Sequence, residues 1–310
     1  MRVMITGAAG FLGRHFAEHH LYLDHEVTAV DDMSSPYAHW GFGPGLLKVD
    51  AGAYLGRIAY PKYDIVYHFA APVGGREKIE GDPLFNAESL RLDAALFRWA
   101  AKAKPKVIVY PSSSAVYGVE YQKIDSHMAQ SEWDFYPDRL HWDKPDEMYG
   151  FTKLAGEYLA CKAARYGVNT LCIRPFSGYG EDQSLEYPVP SIIARVKARE
   201  DPLIVWGPGT QTRDFIHVDD VVGATVARVK NGIDGYQSMN IGWGRQWSFN
   251  DLAWLAADIA GYKPEIVNLP DKPFGVMSRY SDSALMRTYY QPKITLEQGI
   301  ERMLQATGDV

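Results

Sequence analysis

The stretch that most constrains this chain is its start. Val3 to Thr6 is a short run of apolar and β-branched residues that leads straight into Gly7-Ala8-Ala9-Gly10-Phe11-Leu12-Gly13, and a helical pattern follows through about His20. Strand, glycine turn and helix in that order predict the first unit of a doubly wound α/β sheet. Glycines at 7 and 10 let the backbone turn tightly and approach a pyrophosphate. Gly13 lets the helix pack closely on the strand, and the helix N-terminus attracts the anion. The next strand, 26–30, ends in Asp31-Asp32, about twenty residues beyond the turn. An acid there accepts hydrogen bonds from a ribose 2′-hydroxyl and repels a 2′-phosphate, which favours NAD over NADP, with Asp31 as the ribose ligand and Asp32 as a turn cap.

Further strands are predicted at 46–49, ending at Asp50, and at 64–69, 107–110 and 170–173, with helices near 86–102 and 146–166. Ala70 and Ala71 leave room for a cofactor, and His68 reads as a satisfied core histidine. The loop Pro72-Val73-Gly74-Gly75-Arg76-Glu77-Lys78 lies at a strand's carboxyl end, where open α/β sheets bind ligands, and is expected to touch substrate. Between 119 and 145 the chain is polar, aromatic and irregular, with Trp133, Tyr136 and Trp142, and reads as a long loop near the active mouth. Pro145 and Asp146 start the next helix, whose Leu154, Tyr158 and Leu159 face the 86–102 helix and a second subunit.

The βα alternation stops after 177, which places the main boundary. Residues 1–177, joined by about 213–245, form a Rossmann-type doubly wound parallel sheet, and 178–212 with 246–310 form a smaller C-terminal α/β substrate domain. Phe215 to Val218 return to the first domain, with Asp219-Asp220 capping a helix to about Val229.

Composition narrows the function. A net charge of −6 without a Lys/Arg run argues against general nucleic-acid binding. No apolar run approaches the roughly 18 residues of a membrane span, and the start lacks a signal-peptide pattern, so a cytoplasmic protein is expected. Cys161 and Cys172 have no metal-ligand spacing. His15-Phe16-Ala17-Glu18-His19 spells a zinc-peptidase pattern, but Phe11, Leu12 and Phe16 commit this helix to the sheet and leave the histidines on its wet side. No metal is expected.

Tyr149 and Lys153 stand at i, i+4, which puts a phenol and an ammonium on one helix face. A phenol is a poor base at neutral pH, and a fixed cation beside it favours the phenolate. Such a pair can move a proton on and off a hydroxyl. The cluster Ser112-Ser113-Ser114 at the end of the fifth strand reads as a turn or as a hydrogen-bonding partner of the same reacting oxygen.

With these pieces in place, the chain resembles the extended short-chain dehydrogenase/reductase family in its nucleotide-sugar epimerase and dehydratase branch, and most of all its UDP-hexose 4-epimerases. The resemblance rests on Gly7 to Gly13, His68-Phe69-Ala70-Ala71, Ser112 to Gly118, Tyr149 with Lys153, Arg174-Pro175-Phe176, and Gly207 to Asp220. It implies Ser113, Tyr149 and Lys153 as catalytic residues. The cofactor contacts it implies are Gly7, Gly10, Phe11, Leu12, Asp31, Asp50 and Ala70 together with Tyr149 and Lys153. Ser114, Trp206, Arg213 and Arg279 would meet a nucleotide-diphosphate sugar, Trp206 at the base and the arginines at the diphosphate. A homodimer through the helices near 86–102 and 146–166 is expected.

Departures narrow the reaction. The family's 4,6-dehydratases carry Asp-Glu where this chain has Ser114-Ala115, and its decarboxylases need a glutamate at 115. Ala71 to Gly75 and Gly275 to Asp282 are similar to GDP-mannose 3,5-epimerase, whose extra cysteine and lysine fall at Ala115 and near Pro188. Ser177 replaces the family's diphosphate-binding asparagine. The resemblance therefore implies 4-epimerisation, with a one-way reductase or dehydrogenase on a nucleotide-linked sugar as the alternative and a 3,5-epimerase or a non-catalytic NAD-binding protein behind both.

Overall fold

Seven parallel strands form the main sheet. They are β1 (Arg2–Thr6), β2 (Glu26–Asp31), β3 (Leu46–Lys48), β4 (Ile65–His68), β5 (Val107–Pro111), β6 (Thr170–Pro175) and the strand Tyr236–Ile241. From one edge to the other the order is Tyr236–Ile241, β6, β5, β4, β1, β2, β3. The computed structural model describes residues 1–57, 59–72, 74–82, 84–123, 129–133, 137 and 143–306. Val73, Tyr136 and Trp142 of the expected ligand-facing loops lie outside the described residues, while Trp133 stands exposed.

The central strands β4 and β5 are buried along their whole length, as a parallel sheet covered on both faces requires. Helices α1 (Phe11–Tyr22), α2 (Ala51–Arg57), α3 (Arg76–Gly81), α4 (Glu88–Ala103), α5 (Glu147–Ala163), α6 (Pro188–Lys197), α7 (Val218–Lys230) and α8 (Phe249–Ile259) follow in chain order. The two-residue period of β1 splits it between two cores. Val3 and Ile5 pack with Phe16 of α1 and Val221 of α7, and Met4 packs with Leu96 of α4 and Ala160 of α5 on the other face. A third core joins Ile192, Ile193 and Val196 of α6 to Leu203, Val205, Leu252, Ala256 and Ile300.

Ile216–His217 pairs with Gly178–Tyr179 in a two-stranded ladder, with Ile216 in the core of Val3 and Ile5, and the seventh strand of the main sheet is Tyr236–Ile241. Other expectations are corrected. His217, not Asp219 or Asp220, caps α7 by accepting from the Asp219 amide. Asp220 instead holds the Tyr290 hydroxyl and the Lys293 and Ile294 amides. Leu154 packs on Val116, Tyr117 and Phe176 rather than on α4. Among the described residues no helix is long and apolar enough to cross a membrane, and no group of three or more His, Cys, Asp or Glu side chains is placed to hold a metal ion. The zinc-like pattern in α1 is spent on other contacts: His15 bonds Asp182 at 2.9 Å, and His19 is half-buried rather than wet.

Candidate active site

The order in which strands are added reverses between β1 and β4, parallel neighbours near the sheet's centre, and open α/β sheets bind ligands at such a switch point. The glycine turn sits there. Gly7 has φ +69°, and a Cβ on it would lie 2.5 Å from the Ala70 amide nitrogen; a Cβ on Gly13 would overlap the Gly7 carbonyl. No side chain caps α1 at Gly10, so the helix entrance presents Phe11, Leu12 and bare amides to an anion. Asp31 closes the turn from β2, accepting from the amides of Ala9 at 3.0 Å and Met33 at 2.7 Å. Burial raises the Asp31 carboxyl above its usual value, and those two bonds only partly offset it. Asp32 caps a turn through the Ser34 amide. Asp50 is paired with Arg91 at 2.7 Å, and that bond holds its carboxyl below its usual value.

Asn86, which precedes α4, adds an observation that the sequence reading missed. It is fully buried, and neither of its amide atoms has a partner among the described residues. An orphaned buried amide is costly unless a ligand satisfies it. A cradle without side chains, an uncapped helix N-terminus and an acid at the end of β2 together fit NAD. His68 is a half-satisfied core group: its Nδ1 meets Thr6 Oγ1 at 2.8 Å, while Nε2 has no hydrogen-bond partner among the described residues.

The candidate reacting face, with Tyr149 and Lys153, is built on α5. Lys153 is buried, its ammonium 5.8 Å from the Tyr149 ring centroid and 5.6 Å from that of Tyr110. Ala115 ties the serine turn to this helix. Its amide donates to Ser113 Oγ at 3.1 Å, its carbonyl accepts from the Asp146 amide at 2.9 Å, and a Cβ on Gly150 would overlap that carbonyl. Ser113 thus has its oxygen engaged by the backbone and its own proton available to donate. Ser114 is buried behind it.

Asp146 occupies the N-cap position of α5, yet its side chain caps nothing. It receives Arg76 at 2.9 and 3.0 Å and Arg279 at 2.9 Å, and Arg279 also donates to Gln122. Burial alone would raise this carboxyl; Arg279 and Arg76 outweigh it and hold it below its usual value. Arg213 donates to the carbonyls of Thr212, Val276 and Phe274, and burial reinforced by Arg279 pushes its guanidinium down to about 9. Two arginines therefore hold one carboxylate three positions before Tyr149, and Arg213, fixed by backbone carbonyls, lies close enough to Arg279 to feel its charge. Arg76 was legible only as part of a ligand-facing loop, through Gly-Gly-Arg after β4. Trp206 is partly exposed, with Lys272 5.1 Å over its ring.

Comparison with known proteins bears on this arrangement. Residues 3–242 match the model of the NAD dependent epimerase/dehydratase family. The chain belongs to this family. A dTDP-4-dehydro-6-deoxy-D-allose reductase from a Streptomyces species is 30% identical, over 92% of this chain and 89% of the relative. A putative UDP-glucose 4-epimerase from Methanocaldococcus jannaschii is 27% identical over 97% of each chain. A UDP-glucuronic acid 4-epimerase from Bacillus cereus, solved with UDP-glucuronic acid and NAD, is 25% identical, covers 98% of each chain and has a TM-score of 0.82. As a member of the epimerase/dehydratase family the protein is an NAD-dependent enzyme of the extended short-chain dehydrogenase/reductase type, related to enzymes of nucleotide sugars.

Proposed function

We propose that this protein epimerises a nucleotide-activated sugar at C4 through a transient 4-keto sugar. The observation that carries the reading is the phenol and ammonium of Tyr149 and Lys153 joined through Ala115 to Ser113, in a turn without a carboxylate at 114 or 115. Tyr149 takes the proton of the sugar's 4-hydroxyl and later returns it, an acid–base step of the kind worth about 10²–10⁴ in rate. Ser113 donates to the same oxygen, and the buried Lys153 ammonium stands beside the Tyr149 ring as a fixed positive charge. NAD, held by Gly7, Gly10, Phe11, Leu12, Asp31, Asp50 and Ala70, supplies the redox chemistry at the sugar carbon.

Arg279 and Arg213, joined by Arg76, meet the diphosphate by charge-assisted bonds, and Trp206 lies toward the base. Residues 1–177 with 213–245 serve the cofactor, and 178–212 with 246–310 serve the nucleotide sugar. Two copies associate through the faces of α4 and α5.

A nucleotide sugar deuterated at C4 tests the reaction: an inverted product that keeps its deuterium supports it, and solvent exchange at C3 or C5 overturns it. Tyr149→Phe is expected to lower turnover by about 10²–10⁴ with its bound NAD retained; normal turnover would remove Tyr149 from the mechanism. Likeness to a 4-keto-sugar reductase favours the second reading, net reduction of a nucleotide-linked ketosugar. That reading requires stoichiometric consumption of added NADH, whereas an epimerase keeps its cofactor through every turnover.

A further inference from the structure

The segment 180–187, which follows β6 and the short strand Gly178–Tyr179, serves neither the reacting face nor the arginine cluster. It runs between two loops at the carboxyl edge of the sheet. At one end Asp182 accepts from Arg14 of α1 at 2.8 Å and meets His15 at 2.9 Å. Arg14, itself buried, also donates to the carbonyls of Ala9 in the glycine turn at 2.7 Å and Tyr37 in the loop after β2 at 3.2 Å. His15 in turn packs edge-on against Phe11, the first residue of α1.

At the other end Glu186 accepts from the Gly75 amide at 3.2 Å and from the Tyr37 hydroxyl at 3.4 Å, and a Cβ on Gly75 would overlap the Glu186 carbonyl. Tyr37 follows β2 and Gly75 follows β4, and β1 lies between those two strands. A segment bonded to both loops therefore passes over the carboxyl end of β1, where the glycine turn stands. Tyr187 extends the same segment toward Tyr149, whose phenol adds to burial in raising the Tyr187 hydroxyl above its usual value.

We infer that residues 180–187 are a strap across the cofactor crevice, and that Asp182 and Glu186 are positioning residues which set how slowly NAD leaves. The inference rests on the proposed epimerase reading to the extent that an epimerase needs a retained cofactor. Chemistry supports the two anchors unequally. Asp182 is itself partly exposed, but its partner Arg14 is buried and the bond between them is charge-assisted; burial alone would raise the Asp182 carboxyl, and His15 and Arg14 bring it down to about 2. Glu186 is exposed and holds through one amide and one hydroxyl, which makes its end the weaker. A strap fixed firmly at α1 and loosely at the loop after β4 opens from the Glu186 end.

The test measures release directly. Full-length protein is loaded with NADH, excess NAD is added, and the loss of bound NADH fluorescence gives the release rate; nucleotide freed by denaturing the purified protein gives its content. Asp182→Ala is expected to release NADH about tenfold faster and to purify with less nucleotide, while its turnover at saturating NAD stays within about twofold of the parent. Glu186→Gln, at an exposed position that leaves the fold alone, is expected to speed release about threefold. Unchanged release in Glu186→Gln together with either unchanged release or loss of folding in Asp182→Ala overturns the strap. Parent protein that purifies without nucleotide overturns the retained-cofactor reading instead, and the two variants loaded with NADH still decide the strap.

Discussion

The glycine-turn crevice and the arginine cluster are built in opposite ways. The crevice comes from one continuous stretch, Val3 to Gly13, closed by Asp31, and its key surfaces are backbone. The cluster draws Arg76 and Arg279 from distant segments onto the single carboxylate of Asp146, with Arg213 beside them, and its key surfaces are side-chain charges. A site made of backbone tolerates no added atoms but is indifferent to charge. A site made of converging cations tolerates shape changes but depends on each charge. The two should therefore fail differently.

Gly13→Val gives the largest effect. The added atoms would overlap the Gly7 carbonyl, so a loss of about 3 kcal/mol or more is expected, with bound NAD lost as well, measured by urea unfolding and nucleotide content. Arg279→Ala should leave the fold and the bound NAD intact and raise KM for the nucleotide sugar about 10- to 100-fold, the value of one or two charge-assisted bonds. Equal loss of NAD in that variant would mean that crevice and cluster are one site.

The smallest effect comes from the far end of α1, away from both regions. His20 is buried between His25 Nδ1 at 2.8 Å and the Tyr67 hydroxyl at 2.9 Å, and burial, with His19 and His25 adding like charge, takes it from 6.5 down to about 3. Between those values the unfolded chain binds a proton that the folded chain refuses. Stability is therefore full above about pH 6.5 and falls as pH drops toward 3, by at most about 1.4 kcal/mol per pH unit from this group. His20→Gln should flatten that slope in urea unfolding between about pH 7 and about pH 5. An unchanged slope would assign the acid sensitivity to other groups.

The same contrast explains what could be read from the chain alone. Local backbone codes were legible: the glycine turn, the acid at the end of β2, the i, i+4 spacing of Tyr149 and Lys153, and the β-branched central strands. The strand Tyr236–Ile241 was not, because Gln237, Ser238 and Asn240 interrupt its apolar residues and its burial depends on pairing with β6. Asp146 looked like a helix cap because sequence shows its position and not the two arginines that arrive from positions 76 and 279. Asn86 was invisible for a related reason. An asparagine before a helix has many uses, and only its burial without a partner among the described residues singles it out.

Beneath the reacting face, Glu157 continues the line of Tyr149 and Lys153 one turn further along α5. It accepts from Arg174 Nε at 2.8 Å and Nη2 at 2.7 Å, and both side chains are 0% exposed. Arg174 also donates to Tyr117, which bonds Asn240 at 2.7 Å, and the Tyr236 hydroxyl donates to Glu157. Such a pair contributes little net stability, but separating its members leaves a bare charge in the interior at a cost of about 3–5 kcal/mol. Turning α5 by a single residue swings its side chains through about 100° and would force that separation. Glu157 thus acts as a rotational key: the helix has one angular setting in which its core is electrically closed, and that setting also fixes the face on which Tyr149 and Lys153 stand.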